Sequence, residues 1–319
     1  MIDVLRLNKG FKDPAQWVEY ATKHKFKRVM AEKLETCPDC GGRKSALVGQ
    51  YIYYSTLVEL RSCANCGLLY ADTRIDPAVI HSHFELAYKD EHYFTHQRRR
   101  IFDQIAGLVD EAAAPGASVL DIGGAKGHLL ALVKQRRPDL KLVLNDLSTA
   151  ACSFAEMEYG LETVCGDVKT LQGLSRSFDV VIMSDVIYYE PEIQRLWGLL
   201  SHLVSNAGVI IIRVPNLVAL IKLSGIIRRF GTSRQAQAMQ SAVPFFNPEH
   251  LYVFSRGYLS NQLQGLGFNR FKAMPSALLG NLDRTRYGLY YGLAKMIWLC
   301  SWGQMIMTPS MIAVAVRQP

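Results

Sequence analysis

The sequence predicts an α/β protein, a parallel sheet covered on both faces by helices and preceded by a small metal-binding module. Three observations carry that expectation. Short apolar runs alternate with helical patterns from Ser118 onward, a glycine-rich turn closes the first of those runs, and four cysteines stand ahead of it in two Cys-x-x-Cys pairs. The 319 residues suffice for two structural units with a sizeable core. Hydrophobic residues make up 49% and charged residues 20%, without periodic glycine or proline, which excludes disordered, collagen-like and long coiled-coil classes. The opening MIDVLRLNKG has an acid at its third position and no apolar stretch, so no secretory leader is expected and the expected compartment is the cytoplasm.

The metal-binding expectation comes first along the chain, over residues 1–80. CPDCGG supplies Cys37 and Cys40, and CANCGLLY supplies Cys63 and Cys66, with 22 residues between the inner pair. This is zinc-ribbon spacing: each Cys-x-x-Cys-Gly makes a tight knuckle in which Gly41 or Gly67 permits positive φ, and four thiolates close a tetrahedral shell around Zn²⁺. QYIYYSTLVEL between the knuckles reads as strands. A closed Cys₄ shell has no open position, which assigns the metal to folding. A redox dithiol or four unrelated cysteines are the competing readings. Cys152, Cys165 and Cys300 stand alone, a poor pattern for a disulfide framework.

Residues 81–116 link the modules. HSHFELAYKDEHYFTHQRRR concentrates four histidines among aromatics and suggests a helical cover in which Tyr88, Tyr93 or Phe94 touches a ligand. A solvated helix ending in Arg98, Arg99 and Arg100 is the competing reading, and His81 with His83 lacks the matching pair that a second metal site would need.

The α/β module is expected over residues 117–319. SVLDI is an apolar strand, GGAKG a small-residue turn, and the pattern through Leu129, Leu130, Leu132 and Val133 a helix that stops at Pro138. LKLVLND, ETVCGD, FDVVIMSD and GVIIIRVPN continue as strands between helical stretches near residues 148–160 and 191–204, which implies a parallel sheet. Ligands of such sheets sit beyond the carboxyl ends of the strands at the switch point. There the turn runs Gly123-x-Ala125-x-Gly127, and Asp146 closes the second strand 23 residues beyond Gly123. A carboxylate so placed can accept both ribose hydroxyls, making a nucleoside the expected ligand. No phosphate-cradling G-x-x-x-x-G-K-[ST] is present, which argues against an NTPase.

On these residues the chain resembles the class I S-adenosylmethionine-dependent methyltransferases, in particular bacterial members with an amino-terminal Cys₄ zinc region. The resemblance implies a Rossmann-like seven-stranded sheet, the small zinc-ribbon module and a helical lid. VLDIGGAKG resembles the first motif, placing Asp121 near the methionine amino group and Gly123, Gly124 and Gly127 along the cofactor. Asp146 and Leu147 in LNDLS match the ribose-binding position, Asp167 in CGDV the acid that accepts from the adenine amino group, and Ser184 the end of strand four. PEHLYVFSRGYLSNQLQGLGF resembles the late helix, with Ser255 as N-cap, and PSMIAVAVRQP the last strand. Relatives often carry a Glu-His pair after strand four, where this chain has Tyr188 and Tyr189.

Methyl displacement needs a nucleophile held near the sulfonium, its proton removed and water kept away. His250 and Tyr189 are the candidate catalytic residues, with Glu249 as an orienting partner. Histidine has the better proton chemistry near neutral pH and tyrosine suits a substrate wall, while a packed, structural histidine is the competing reading.

The net charge of +8 is concentrated at the end of the chain: residues 217–319 hold 11 basic and two acidic side chains, whereas residues 1–116 are nearly balanced at 16 to 15. LVALIKLSGIIRRFG, within a segment 217–247 expected as an inserted lid, repeats apolar residues at helical spacing with Lys222, Arg228 and Arg229 to one side. It suits phosphate, an anionic membrane surface or ordinary packing on the domain. Residues 287–307 approach the length of a bilayer span, but Lys295 near the middle argues against spanning; contact with the inner face of a membrane through Trp298 and Trp302 is the alternative to burial. The expected function is methyl transfer to oxygen of a small molecule, sugar or glycan, phosphorylated or lipid-linked acceptors included. An RNA base methyltransferase and a non-catalytic scaffold are the alternatives. RNA affinity should place cations on the reading module, which the balanced first 116 residues do not. Oligomeric state has no signature.

Overall fold

The computed structural model describes residues 30–53, 56–76, 78, 79, 81, 84, 85, 88, 98–217, 250–278 and 284–317. The segments expected as the lid (residues 218–247) and the positions Glu249, His83, Tyr93 and Phe94 lie outside these residues. The chain divides into two compact units, one formed by residues 1–80, 188–194 and 217–258, the other by 81–187, 195–216 and 259–319.

In the first unit QYIYYSTLVEL forms a hairpin. Strand β2 (Ser45–Tyr53) pairs antiparallel with β3 (Thr56–Cys63) from Ser45 opposite Cys63 to Tyr53 opposite Thr56. Along β3 the side chains of Val58 and Leu60 are buried while Leu57 is exposed, the period-two alternation of a sheet with one covered face. Strand β4 (Leu69–Ala71) pairs with β3 on one side and, on the other, with β11 (Tyr252–Val253), Tyr252 opposite Tyr70. A two-stranded ladder of β1 (Met30–Lys33) and β5 (Thr73–Ile75) completes the described strands of this unit. Buried Asp72 secures the corner: its Oδ1 accepts the Glu59 N–H at 2.8 Å and its Oδ2 meets Lys33 Nζ at 2.9 Å. Arg74 donates to the Pro191 carbonyl and to the Tyr252 hydroxyl, so residues 188–194 and 250–258 are bound into the same unit as the cysteines.

The second unit is built on a seven-stranded sheet in the order β12 (Arg270–Pro275), β13 (Ser310–Val316), β10 (Val204–Pro215), β9 (Phe178–Ser184), β6 (Ser118–Ile122), β7 (Lys141–Asp146), β8 (Glu162–Cys165). The first motif strand, β6, is central; β7, β8, β9 and β10 run parallel to it. The last strand, β13, inserts antiparallel between β10 and β12. Val180 to Met183 and Ile210 to Ile212 are inaccessible, the continuous apolar runs that a sheet covered on both faces requires. Helix α1 (Arg99–Ala112) buries Ile101, Ile105, Ala106 and Val109, a single stripe of a 3.6-residue period. Helix α2 (His128–Arg136) starts after Gly127, and α3 (Thr149–Tyr159) is capped by the Ser148 hydroxyl, which accepts the Ala151 N–H, and ended by left-handed Gly160. Helix α4 (Ile193–Leu203) precedes β10, and α5 (Arg256–Gly265) starts where Ser255 Oγ accepts the Tyr258 N–H at 3.0 Å, the cap expected from the sequence. Helix α6 (Arg284–Cys300) lies ahead of β13, and among the described residues no helix is long and apolar enough to cross a membrane.

Candidate active site and metal centre

The two cysteine knuckles have matched geometry. Gly41 donates its N–H to the Cys37 carbonyl at 2.9 Å and Gly67 to that of Cys63 at 3.1 Å, each glycine with positive φ, 69° and 76°. These turns bring Cys37, Cys40, Cys63 and Cys66 together with all four sulfurs within 4.8 Å of one another. Cys37 and Cys66 are 3.6 Å apart and Cys40 and Cys63 3.5 Å. Tetrahedral bonds of about 2.3 Å put neighbouring sulfurs about 3.8 Å apart, so the donor set fits Zn²⁺ in both chemistry and size. Burial pushes the Cys37 thiol up to about 11 and raises Cys66 as well, with the Cys37 charge adding to the latter. At Cys63 burial acts the same way but is outweighed by the N–H groups of Cys66 and Asn65, and the thiol falls to about 7. Four thiolates cannot coexist this closely without a cation, which is what a bound metal supplies.

In the other unit the glycine turn follows β6. Gly123 (φ 68°) and Gly124 both donate N–H to the Asn145 carbonyl, which folds the turn back over the end of β7. A side chain at Gly123 would meet Val186 at 2.3 Å, and one at Gly124 would meet Leu144 at 2.7 Å and Asp121 Oδ2 at 2.8 Å. Gly127 (φ 77°) is equally close to Leu161. Ala125 adopts φ 53°, a conformation that costs a non-glycine residue about 1 to 2 kcal/mol, and its N–H donates to Asp146 Oδ2 at 2.8 Å. That bond fixes the turn against the carboxylate.

Asp146 is buried and its second oxygen accepts the Ser148 N–H at 2.9 Å. A carboxylate has about four acceptor positions, so two remain for a ribose diol. Burial lifts its carboxyl to about 6, opposed by those N–H groups and aided by Glu85, whose carboxylate receives the Ser148 hydroxyl at 2.6 Å. Asp121 is fully enclosed; burial, then the Asp146 charge, raise it to about 8. Its Oδ1 and the Ser184 hydroxyl are buried atoms without a hydrogen-bond partner among the described residues. Both stand at carboxyl ends of central strands, where a bound polar group would satisfy them. These orphaned atoms and the glycine turn fit the methionine and nucleoside parts of S-adenosylmethionine. Leu147 is half-buried between Asp146 and Ser148, and Asp167 is exposed at the end of β8 with Oδ1 on the Lys169 N–H at 3.0 Å.

Several residues at this end of the sheet were not singled out by the sequence. Asn145, buried at the end of β7, donates to the Val164 and Gly166 carbonyls and ties the ends of β7 and β8 together. Asp185, next to Ser184, has φ 61° and receives guanidinium groups from Arg213 on both oxygens and from Arg98 at 2.8 Å. Arg213 is buried and also donates through Nε to Ser276 Oγ at 2.8 Å. Of the three consecutive arginines, Arg98 is engaged in this way, whereas Arg99 and Arg100 are exposed. In the linker, Tyr88 is buried and stacks on Phe84 at 5.8 Å, and His81 is exposed.

The catalytic candidates share a ring cluster in the first unit. Tyr188 lies 3.9 Å from His250 between ring centroids and 4.7 Å from Tyr189; Tyr189 meets His250 edge-on at 5.4 Å. The Leu251 N–H donates to the Tyr188 carbonyl at 2.9 Å, which holds the two segments together, and His250 is buried.

A family model described as a methyltransferase domain matches residues 93–272. No curated protein matches the chain. Among solved structures, the plantazolicin methyltransferase BamL, in complex with a triazolic desmethylPZN analog and SAH, is 18% identical with a TM-score of 0.46, covering 75% of this chain and 91% of its own. A SAM-dependent methyltransferase from Archaeoglobus fulgidus is 18% identical with a TM-score of 0.45, covering 71% and 100%.

Proposed function

The chain belongs to the methyltransferase-domain family, and on that premise we propose that it moves a methyl group from S-adenosylmethionine to an oxygen of a small-molecule, sugar or glycan acceptor. The observation that carries the reading is that Asp121 Oδ1 and Ser184 Oγ, buried atoms at the carboxyl ends of β6 and β9, have no hydrogen-bond partner among the described residues. In this reading Asp146 holds the ribose hydroxyls with Leu147 beside it, Asp167 accepts from the adenine amino group, and Asp121 faces the methionine ammonium along Gly123, Gly124 and Gly127. When bound, S-adenosylmethionine supplies an electrophilic methyl group on a sulfonium. The chain's own task is then to place the acceptor oxygen in line and to take its proton.

For that proton we assign His250, because histidine titrates near neutral pH whereas tyrosine ordinarily titrates near 10. Tyr189, edge-on to His250, supplies an acceptor wall. The Cys₄ cluster holds structural Zn²⁺, since a closed four-sulfur shell leaves no position for a substrate. The nearly balanced charge of residues 1–116 disfavours RNA, which recruits cations to its reading module. Incubation of the protein with methyl-labelled donor and cell extract, followed by separation into RNA, lipid and small-molecule fractions, tests the acceptor class. Label is expected in the small-molecule or lipid-linked glycan fraction, and His250→Ala is expected to lower its rate of appearance by about 100-fold, the range of general-base catalysis. Label confined to RNA, or none in any fraction, would overturn the proposal.

A further inference from the structure

Helix α6 has two unlike faces. Its inner side is fixed to β12: Ala294 is buried, Trp298 donates its indole N–H to the Ala273 carbonyl at 2.8 Å, and Tyr291 donates its hydroxyl to Pro275 at 3.2 Å. At 100° per residue the opposite side carries Leu289, Gly292, Leu293, Met296, Leu299 and Cys300. These leucines and the methionine are exposed, Leu289 to 77% and Leu299 to 60%, and no charged side chain interrupts the stripe; Lys295 stands at its flank. The turn that follows extends the apolar surface. Trp302 is 92% exposed at a left-handed φ of 54°, Met305 and Met307 are exposed, and the Tyr290 hydroxyl donates to the Met307 carbonyl at 2.6 Å, which draws the turn back to the helix. Folded proteins rarely present a contiguous apolar surface of this kind to water unless it is a contact site.

We propose that this face docks on an anionic lipid membrane, with α6 lying in the plane of the headgroups. Charge selects lipid over a second copy of the chain. From Arg284 to Met307 there is no Asp or Glu, while Arg284, Arg286 and Lys295 are basic, and residues 217–319 carry 11 basic against two acidic side chains. Pairing two such faces would set like charges against one another, whereas anionic headgroups complement them. The side chains are those suited to the boundary between water and acyl chains: Leu and Met to enter it, Trp and Tyr to sit at its polar edge, Lys and Arg to reach back to phosphate. The 17 residues span about 25 Å at 1.5 Å each and include Lys295 mid-helix, so the helix rests on the bilayer rather than crossing it.

The test is sedimentation of the full-length, zinc-loaded protein with phosphatidylcholine vesicles and with vesicles also containing phosphatidylglycerol. Binding is expected to be about tenfold or more tighter to the anionic vesicles and to weaken with added salt. Leu293→Glu with Met296→Glu, two exposed positions, should abolish sedimentation without changing donor affinity by calorimetry, and Lys295→Glu should weaken it by a smaller factor. No sedimentation of the parent protein, or equal sedimentation of parent and double variant, overturns the proposal. So does a dimer in light scattering that the double variant dissociates while vesicles capture neither protein; that result would assign the face to a second copy.

Discussion

At the metal centre four thiols crowd within 4.8 Å, and at the carboxyl ends of β6 and β7 two carboxyl groups are buried closely enough for Asp146 to raise Asp121. In both places burial opposes ionisation, lifting Cys37 to about 11 and Asp121 to about 8. They differ in how much the protein itself does to relieve the opposition. The thiols receive a few N–H groups and otherwise face one another, so the site is incomplete without a cation. Asp146 is held by the Ala125 and Ser148 N–H groups without any ligand, and among the described residues Asp121 Oδ1 and the Ser184 hydroxyl are the atoms at this end of the sheet that lack a partner. The four-thiol cluster is a donor set that calls for a cation, whereas the carboxylate of Asp146 is already held in place for a ligand.

That contrast can be broken at several points. The largest effect is expected from metal removal: chelation should release one Zn²⁺ per chain and unfold the knuckle region, because structural zinc sites contribute about 10 to 16 kcal/mol of apparent binding energy. Hydrogen exchange would show the loss of protection concentrated in residues 30–75 and in Tyr252 and Val253, which pair with β4. Equal protection with and without chelator would mean the cluster folds unaided, and the contrast would fail. Next comes Asp185→Ala, which takes the carboxylate partner from buried Arg213 and from half-buried Arg98. Removing one partner of a buried ion pair costs about 3 to 5 kcal/mol, readable as a lower urea midpoint. A change below about 1 kcal/mol would show these guanidinium groups to be hydrated, as exposed pairs are.

A smaller effect concerns pH. Asp121 and Asp146 have folded values raised, by burial first, to about 8 and about 6 from an ordinary 3.8. The folded protein therefore keeps protons that the unfolded chain has released, and these two groups make stability fall as pH rises from about 4 to about 8. Asp121→Asn should remove the upper part of that slope, between about 6 and 8, in urea titrations compared with the parent. An identical slope in both proteins would show that Asp121 titrates in its ordinary range.

The two regions were also unequally legible from the chain. Cysteine spacing and the glycine turn are local, so the knuckles and the order strand, turn, helix from Ser118 could be read from consecutive residues. Four of the five parallel strands of the sheet follow the same logic as apolar runs, whereas β8 (ETVC) lacks one, β12 (RFKAMP) is not read from the sequence, and the count of seven comes from the family resemblance. What a linear reading misses is assembled over distance. Asp185 draws its partners from positions 98 and 213, and Arg213 is itself anchored by Ser276. Arg98 belongs to a run of three arginines that looks solvated, and nothing in the run distinguishes it from its neighbours. The pairing of Tyr252 with Tyr70 is of the same kind, since a two-residue strand has too few residues to show a period. Ala125 is legible as a departure from an expected glycine, but its left-handed conformation is not, because alanine itself gives no cue to positive φ.

In the proposed function Asp146 grips the ribose of S-adenosylmethionine at the end of β7. Calorimetric titration of S-adenosylmethionine and its demethylated product into the zinc-loaded protein and into Asp146→Ala tests it directly, with hydrogen exchange confirming that the variant remains folded. One site per chain is expected in the parent for both ligands, with affinity lost by at least about 100-fold in the variant, as the loss of two charge-assisted hydrogen bonds of about 1.5 to 3 kcal/mol each requires. Equal affinity in a folded variant, or no binding of either ligand to the parent, would contradict it.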